Sequence, residues 1–170
     1  MRPVQRPQVL FLLKFFVILV AAYLLIAWHP VNDHVIVPFT AAIARMSTVL
    51  LNVIGESATV NGTVIGSTKF AVNINNGCNG VEAMLILLAS IVAFPASLKA
   101  RAIGLALGAL AIQVINAIRI VTLFLLGAHY PRVFEMFHTA VWQILVILSA
   151  IIFFLIWSAR VGPPRLAPRT

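Results

Sequence analysis

The sequence predicts an all-α polytopic membrane protein with about four transmembrane helices, one surface or re-entrant helix and a small extracytoplasmic β element. The first observation behind this prediction is composition: 62% of the 170 residues are hydrophobic and only 9% are charged. A soluble domain carries about 25% charged residues, so this chain lacks the charges to cover a water-facing surface. The other two observations are apolar runs long enough to cross a bilayer and one short segment with the period of a strand.

The first apolar run covers residues 9–28 and is interrupted only by Lys14. It is long enough to cross a hydrocarbon core of about 30 Å. The apolar region of a cleaved signal peptide is shorter, at roughly 7–15 residues. We therefore predict a retained membrane anchor.

Three later runs, at residues 81–94, 102–126 and 138–157, complete the predicted spans. The first of them is short and has to begin near Cys78 to cross the bilayer. A further stretch, residues 35–54, is also apolar but contains Pro38 and Arg45. Because a charge at the bilayer centre costs at least about 2.5 kcal/mol, we predict that this stretch lies on the membrane surface or re-enters it.

A β element is predicted between residues 57 and 75. Asn61 and Gly62 form a dipeptide that is typical of a hairpin turn. After it, Phe70, Val72 and Ile74 alternate with more polar positions, which is the period of a strand. Open strands have unpaired backbone groups and do not lie exposed to lipid, so this element is expected outside the bilayer.

The basic residues predict the orientation of the chain. Cytoplasmic loops are enriched in Lys and Arg, and the basic segments all fall on one side if four spans begin near residues 9, 78, 102 and 138. Both termini are then cytoplasmic, and the β element and residues 127–137 face outward. The residues concerned are Arg2, Arg6, Lys14, Lys99, Arg101, Arg160, Arg165 and Arg169.

The net charge of +8 would suggest nucleic acid in a soluble protein. Here the basic residues are few and lie between apolar runs, so we interpret them as topology signals and expect a lipid bilayer, not nucleic acid, as the partner. We find no repeat and no second domain. Residues 1–170 are predicted to form a single membrane-embedded domain with a flexible basic tail from about residue 158.

Three side chains with chemical capability are predicted at the outer membrane face: Cys78, Arg119 and His138. Cys78 follows the predicted strand, and His138 begins the last span. Arg119 lies within an apolar helix, where an ionisable side chain indicates a functional site by default. Gln113 and Asn116 precede it at intervals of three and share its helix face.

The surroundings of Cys78 predict an activated thiol. Residues 76–80 form a polar turn before an apolar helix, and the positive end of a helix dipole lowers a thiol pKa. A nearby arginine would lower it further. With His138 moving protons and Arg119 steadying an oxyanion, such a thiolate can carry out acyl transfer at a peptide carbonyl. The alternative is an inert buried cysteine and an interfacial histidine.

Three short motifs resemble the exosortase/archaeosortase family, and the short chain resembles the compact exosortase H subgroup. The motifs are Asn76-Gly77-Cys78-Asn79-Gly80, Asn116-Ala117-Ile118-Arg119-Ile120 and His138 at the start of the last span.

This resemblance implies a cysteine protease or transpeptidase in the bacterial inner membrane. Its substrates would be exported proteins with a C-terminal sorting signal of the PEP-CTERM type, which has a short motif, a transmembrane helix and a basic tail. Cys78 would be the nucleophile, His138 the general acid/base and Arg119 the transition-state support. A thioester on the cysteine would pass to an unknown acceptor at the outer face.

Three further residues are candidates for substrate binding or support. Asn79 stands where many relatives have a small residue, which bears on the shape of the local pocket. Glu82 is on the same helix face as Cys78 and is expected to pair with Arg119, or else to orient Arg119 or His138. Asn116 either positions substrate or, as we prefer, makes a hydrogen bond between helices.

No metal or other cofactor is predicted. His29, Asp33 and His34 have the residue types of a metal cluster, but an aqueous loop after a span is the preferred interpretation. The alternatives to an enzyme are a non-enzymatic membrane assembly factor and a small transporter. A transporter needs polar side chains through the depth of the bundle, and residues 102–111 provide none.

Overall fold

A computed structural model describes residues 6–161 as a helical bundle with a small antiparallel sheet at one end. The predicted all-α polytopic fold is confirmed. The elements in order are α1 Arg6–Ala27, α2 His29–Val31, a π-helical turn Asn32–Ile36, α3 Val37–Val53, β1 Thr59–Asn61, β2 Val64–Gly66, β3 Ala71–Asn73, α4 Val81–Ala93, α5 Leu98–His129, α6 Pro131–Met136, a second π-helical turn Phe137–Val141 and α7 Trp142–Val161.

Four helical segments within the described residues are long and apolar enough to cross a membrane: Pro7–Ala27, His29–Val53, Leu98–His129 and Pro131–Val161. Their number agrees with the prediction, but their identity differs in one case. The predicted span near Cys78 forms the 13-residue helix α4, which is only about 20 Å long. It is short because a glycine turn precedes it and Pro95 follows it.

Helix α3 lies in the apolar stretch, residues 35–54, that the charge pattern predicted not to cross the membrane. Its buried side, which includes Ile43 and Leu51, packs against Ile120 and Phe124 of α5 and against the sheet. Arg45 is exposed on another side of α3. The segment that contains α3, His29–Val53, is long and apolar enough to cross a membrane, whereas the prediction gave residues 35–54 a surface-lying or re-entrant position.

The part of the bundle away from the sheet is built around α4, which contacts α1, α5 and α7. Its buried leucine and isoleucine, Leu87 and Ile91, pack against Ile112 of α5 and Val146 of α7. At the end near residue 98, α7 lies close to α5. A Cβ at Gly104 would lie 2.5 Å from Nε1 of Trp157, so this crossing requires glycine.

The sheet has the strand order β1-β2-β3, and both pairs are antiparallel. Asn61 pairs with Val64 across a two-residue turn, and Gly62 has a φ of 59°. The hairpin and the strand at Val72 are therefore confirmed. The ring of Phe70 covers Gly127 of α5, where a Cβ would lie 2.3 Å from the ring, and so fixes the sheet on the helix.

Two segments predicted as loops are helical. Helix α5 continues to His129, and α6 begins at Pro131, so residues 127–137 do not form an open loop. His29, Asp33 and His34 lie in a helical corner.

The tail predicted to be flexible from about residue 158 is helical up to Val161. The remainder of that tail, with Arg165 and Arg169, lies outside the described residues, as does Arg2.

Candidate active site

Cys78 lies in the turn between β3 and α4, and its neighbour Asn79 holds this turn in place. The Asn79 side chain is fully buried. Its Oδ1 accepts a hydrogen bond from the Val81 N–H at 3.1 Å, while its Nδ2 donates to Oγ1 of Thr40 at 2.9 Å and to Oδ1 of Asn76 at 3.3 Å. Asn79 therefore fastens the turn to α3.

Glycines on either side of Cys78 allow the turn to close. Gly77 has a φ of 87° and Gly80 a φ of 76°, in the left-handed region that favours glycine. A Cβ at Gly80 would also lie 3.0 Å from Cγ of Asn116. The backbone of the turn can therefore approach α5 closely, which brings Cys78 to Arg119.

The structure brings together the three side chains predicted as catalytic. Cys78 Sγ lies 3.3 Å from Nε2 of His138 and 4.0 Å from Nη2 of Arg119. Arg119 also donates from Nη1 to the Gly77 carbonyl oxygen at 3.3 Å, which ties the guanidinium to the turn. A thiol, a proton acceptor and a fixed cation therefore meet at one point.

His138 lies in the second π-helical turn, between α6 and α7. The ring of Phe134 stacks on its imidazole, with ring centroids 5.5 Å apart and planes inclined by 9°. This contact leaves Nε2 directed at the thiol. Phe134 was not predicted as a site residue, although it lies four residues before His138, a spacing that places both side chains on one helix face.

Glu82 supports the turn in a way that differs from the prediction. Its Oε1 accepts a hydrogen bond from the Gly77 N–H at 2.8 Å. The expected ion pair with Arg119 is not formed, since no carboxylate among the described side chains lies within salt-bridge distance of its guanidinium. The carboxylate of Glu56 instead lies 2.7 Å from Nε2 of His129. Glu82 therefore holds the backbone that in turn accepts the hydrogen bond from Arg119.

Asn116 makes no hydrogen bond between helices, contrary to the preferred interpretation. The residue is fully buried, and in the described part of the chain both atoms of its amide lack a partner. Nε of Arg119, a residue that is 3% exposed, lacks one as well. An unsatisfied buried polar group costs about 1–3 kcal/mol. Of these two residues, Arg119 lines a cavity.

The charge state of Cys78 differs from the prediction. Burial has the largest effect and raises the pKa of the half-buried Cys78 thiol above its ordinary value. The charge of Arg119 lowers this pKa by less than burial raises it, and the carboxylate of Glu82 raises it by the smallest amount. Helix α4 begins only at Val81, so the thiol lies before the first helical turn. The predicted lowering of this pKa is wrong, and a raised pKa favours the protonated thiol at neutral pH.

Two cavities flank Arg119. The first, of about 30 Å³, adjoins Cys78 and His138 and is closed by Phe134. The second is a cleft of about 190 Å³ on the other side, bordered by Gly77, Glu82 and residues of α1 and α7. Cys78 is partly exposed and lines the smaller cavity, whereas the larger cleft contacts the turn at Gly77.

A comparison with protein families identifies the chain at this point. A family model described as transmembrane exosortase matches residues 5–158. The chain belongs to the transmembrane exosortase family. No curated protein and no solved structure matches it. The match covers the turn around Cys78, Arg119 and His138, and it confirms the family resemblance of their motifs.

The histidines outside the exosortase site have other surroundings. Nδ1 of His34 lies 2.9 Å from the Pro30 carbonyl oxygen, and Nδ2 of Asn32 donates to Asp33. Within residues 6–161 no group of three or more His, Cys, Asp or Glu side chains is arranged to hold a metal ion.

Proposed function

We propose that this chain is a membrane-embedded cysteine protease or transpeptidase that processes C-terminal sorting signals of exported proteins. The observation that carries the proposal is the contact of 3.3 Å between Cys78 Sγ and His138 Nε2, with Nη2 of Arg119 at 4.0 Å from the sulfur. A nucleophile within reach of a base, beside a fixed cation, is the arrangement that acyl transfer requires. Membership of the exosortase family supports the same reaction class.

The first half of the reaction begins from a neutral thiol. His138 Nε2 takes the proton from Cys78 as Sγ attacks the carbonyl carbon of the scissile peptide bond. The C=O electrons move onto the oxygen and form an oxyanion. The guanidinium of Arg119 is held by the Gly77 carbonyl close to this position, and its charge stabilises the oxyanion.

The second half releases the products. The oxyanion collapses, the C–N bond breaks, and the His138 imidazolium gives its proton to the departing amine. The amino-terminal part of the substrate remains on Cys78 as a thioester. An acceptor amine then attacks the thioester carbonyl and regenerates the thiol in a transpeptidase, and water does so in a hydrolase.

The proposed substrates are exported proteins that end in a short PEP-CTERM-like motif, a transmembrane helix and a basic tail. The proposed location is the bacterial inner membrane, with both termini in the cytoplasm and the site facing the periplasm. The positions of Lys99 and Arg101 support this orientation. They lie at the start of α5, whereas Arg119 and the sheet lie toward its other end.

Co-expression with a substrate tests the proposal. The reporter is an exported protein fused to a host-encoded C-terminal segment with a short motif, an apolar helix and a basic tail. We expect Cys78→Ala to abolish cleavage of the reporter while the protein remains in the membrane. The matched control is His29→Ala, an exposed position that should stay active. Cleavage at the normal rate by Cys78→Ala would overturn the enzyme and favour a scaffold.

A further inference from the structure

The cleft on the far side of Arg119 opens sideways from the bundle. It lies between α1, α4 and α7, and its polar lining includes Tyr23, Glu82 and Gln143. Tyr23 is 37% exposed, and Gln143 is exposed as well. Polar side chains that face lipid carry a free-energy cost. Three of them at one opening therefore indicate a bound partner that forms hydrogen bonds with them.

Helices α1 and α7 are in contact through aromatic rings at the end of the bundle away from the active site. At the opposite end of the bundle, Phe11 of α1 stacks on Phe154 of α7 with ring centroids 6.1 Å apart. Toward Cys78 the same two helices are separated by the cleft, whose inner wall is Gly77 and Arg119. A polypeptide that already lies in the bilayer can therefore reach the catalytic turn from the side.

A second observation points to a ligand in this cleft. Arg119 lines it, is 97% buried, and has no hydrogen-bond partner for Nε among residues 6–161. The unpaired donor of Arg119 gains a partner when a polar chain occupies the cleft.

Building on the proposed function, we propose that the cleft is the lateral entrance for the substrate. Its occupant is the unwound backbone between the scissile bond and the transmembrane helix of the exported protein. A peptide carbonyl inside an intact helix is already hydrogen-bonded, so attack requires local unwinding. The backbone groups that unwinding frees need partners in the membrane. Tyr23, Glu82 and Gln143 provide hydroxyl, carboxylate and amide groups for this purpose.

A larger groove on the other side of α7 is less suited to this occupant. It measures about 590 Å³ and lies between α5 and the segment from α6 to α7, with Leu126 and Trp142 in its walls. The walls are mainly apolar, and the Thr122 hydroxyl there already donates to Ile118 of its own helix at 2.8 Å. Unwound backbone in this groove would find few partners, whereas lipid chains fit it.

Disulfide cross-linking distinguishes the two routes without relying on activity. Cys78→Ala removes the only cysteine of the chain. In that background, Ile147→Cys places a thiol in the cleft, and Leu145→Cys, two residues earlier, places one in the larger groove. The probe is the same reporter with one cysteine just before its apolar helix.

We expect oxidation to link the reporter to Ile147→Cys and not to Leu145→Cys. Linkage at Leu145→Cys alone, at both positions equally or at neither overturns the lateral entrance. Failure of the proposed function is detected by a different result: the unaltered chain does not cleave this reporter. The two results are therefore read independently.

A kinetic test addresses the lining of the cleft. Gln143→Leu keeps the size of the side chain and removes its amide, and we expect roughly tenfold slower reporter cleavage from the loss of about one hydrogen bond. The rate at which a small alkylating reagent labels Cys78 should stay unchanged, because the thiol is not disturbed. Thr122→Val in the larger groove is the control with normal cleavage. Normal cleavage by Gln143→Leu, or a slower thiol reaction, contradicts the proposal.

Discussion

At the scale of single residues, burial and charge decide how Cys78 works. The thiol has a raised pKa because its burial outweighs the effect of Arg119. It therefore requires a base in the attacking step, and His138 at 3.3 Å is the side chain in position to act as one. Residue types and spacing were enough to predict Cys78, Arg119 and His138 as a group. The direction of the pKa shift was not, because the sequence does not reveal burial.

This charge state leads to a prediction about thiol labelling. A thiol with a raised pKa stays protonated to higher pH, and only the thiolate reacts, so alkylation of Cys78 should rise at a higher pH than that of a free cysteine. Arg119→Ala removes the charge that lowers the pKa and should move this profile further up. Glu82→Gln removes a charge that raises the pKa and should move it down. The measurement is the alkylation rate from pH 6 to about pH 10.

The outcomes of that titration are distinct. A profile that rises below the pH of a free cysteine would contradict a neutral resting thiol. A lack of response to both Arg119→Ala and Glu82→Gln would contradict the charges assigned to its surroundings.

At the scale of elements, the turn at residues 76–80 is the part that depends most on its sequence. Asn79 fastens it to α3, and Glu82 holds the Gly77 N–H. The polar glycine-rich turn was predictable from residue types. Its contacts were not, because the one between Asn79 and Thr40 joins residues 39 positions apart and depends on how α3 packs. The unformed Glu82–Arg119 pair has the same cause, since helix spacing alone could not show that the carboxylate caps the turn.

The close approach of the turn to α5 predicts a large effect of Gly80→Ala. The new Cβ would occupy a left-handed φ of 76° and lie 3.0 Å from Asn116, so we expect a loss of about 1–3 kcal/mol of stability. Gly62→Ala is the matched control. It also has a positive φ, of 59°, but no heavy atom lies within 4 Å of its Cβ.

Thermal unfolding in detergent measures both glycine variants. The melting temperature of Gly80→Ala should fall clearly below that of Gly62→Ala. Equal melting temperatures would mean that the contact with Asn116 does not constrain the turn.

The helices show a further difference between pattern and packing. The strands and hairpin follow from local alternation and a turn dipeptide, so they were predictable. Segments His29–Val53 and Val81–Ala93 were harder, because hydropathy reports length and composition but not neighbours. Hydropathy alone does not show that Arg45 is exposed or that α3 packs on the sheet.

At the scale of the whole molecule, the catalytic turn, the sheet and α3 form one end of the bundle. Lys99 and Arg101 lie at the other end, at the start of α5. The proposed orientation places both termini in the cytoplasm, so reporter fusions at Thr170 and near Lys99 should give cytoplasmic signals, and a fusion near Gly66 in β2 an external one. A cytoplasmic signal at Gly66 would contradict a site that faces the periplasm.

Detection of an acyl intermediate on Cys78 tests covalent catalysis by this protein. We expect the amino-terminal part of the reporter to become attached to Cys78 through a thioester, which intact-mass analysis should detect and neutral hydroxylamine should cleave. Cys78→Ala should carry no adduct, and Arg119→Lys should carry much less, because a point charge does not replace a planar bidentate donor. Cleavage of the reporter by the unaltered chain with no thioester on Cys78, and continued cleavage by Cys78→Ala, would contradict the account.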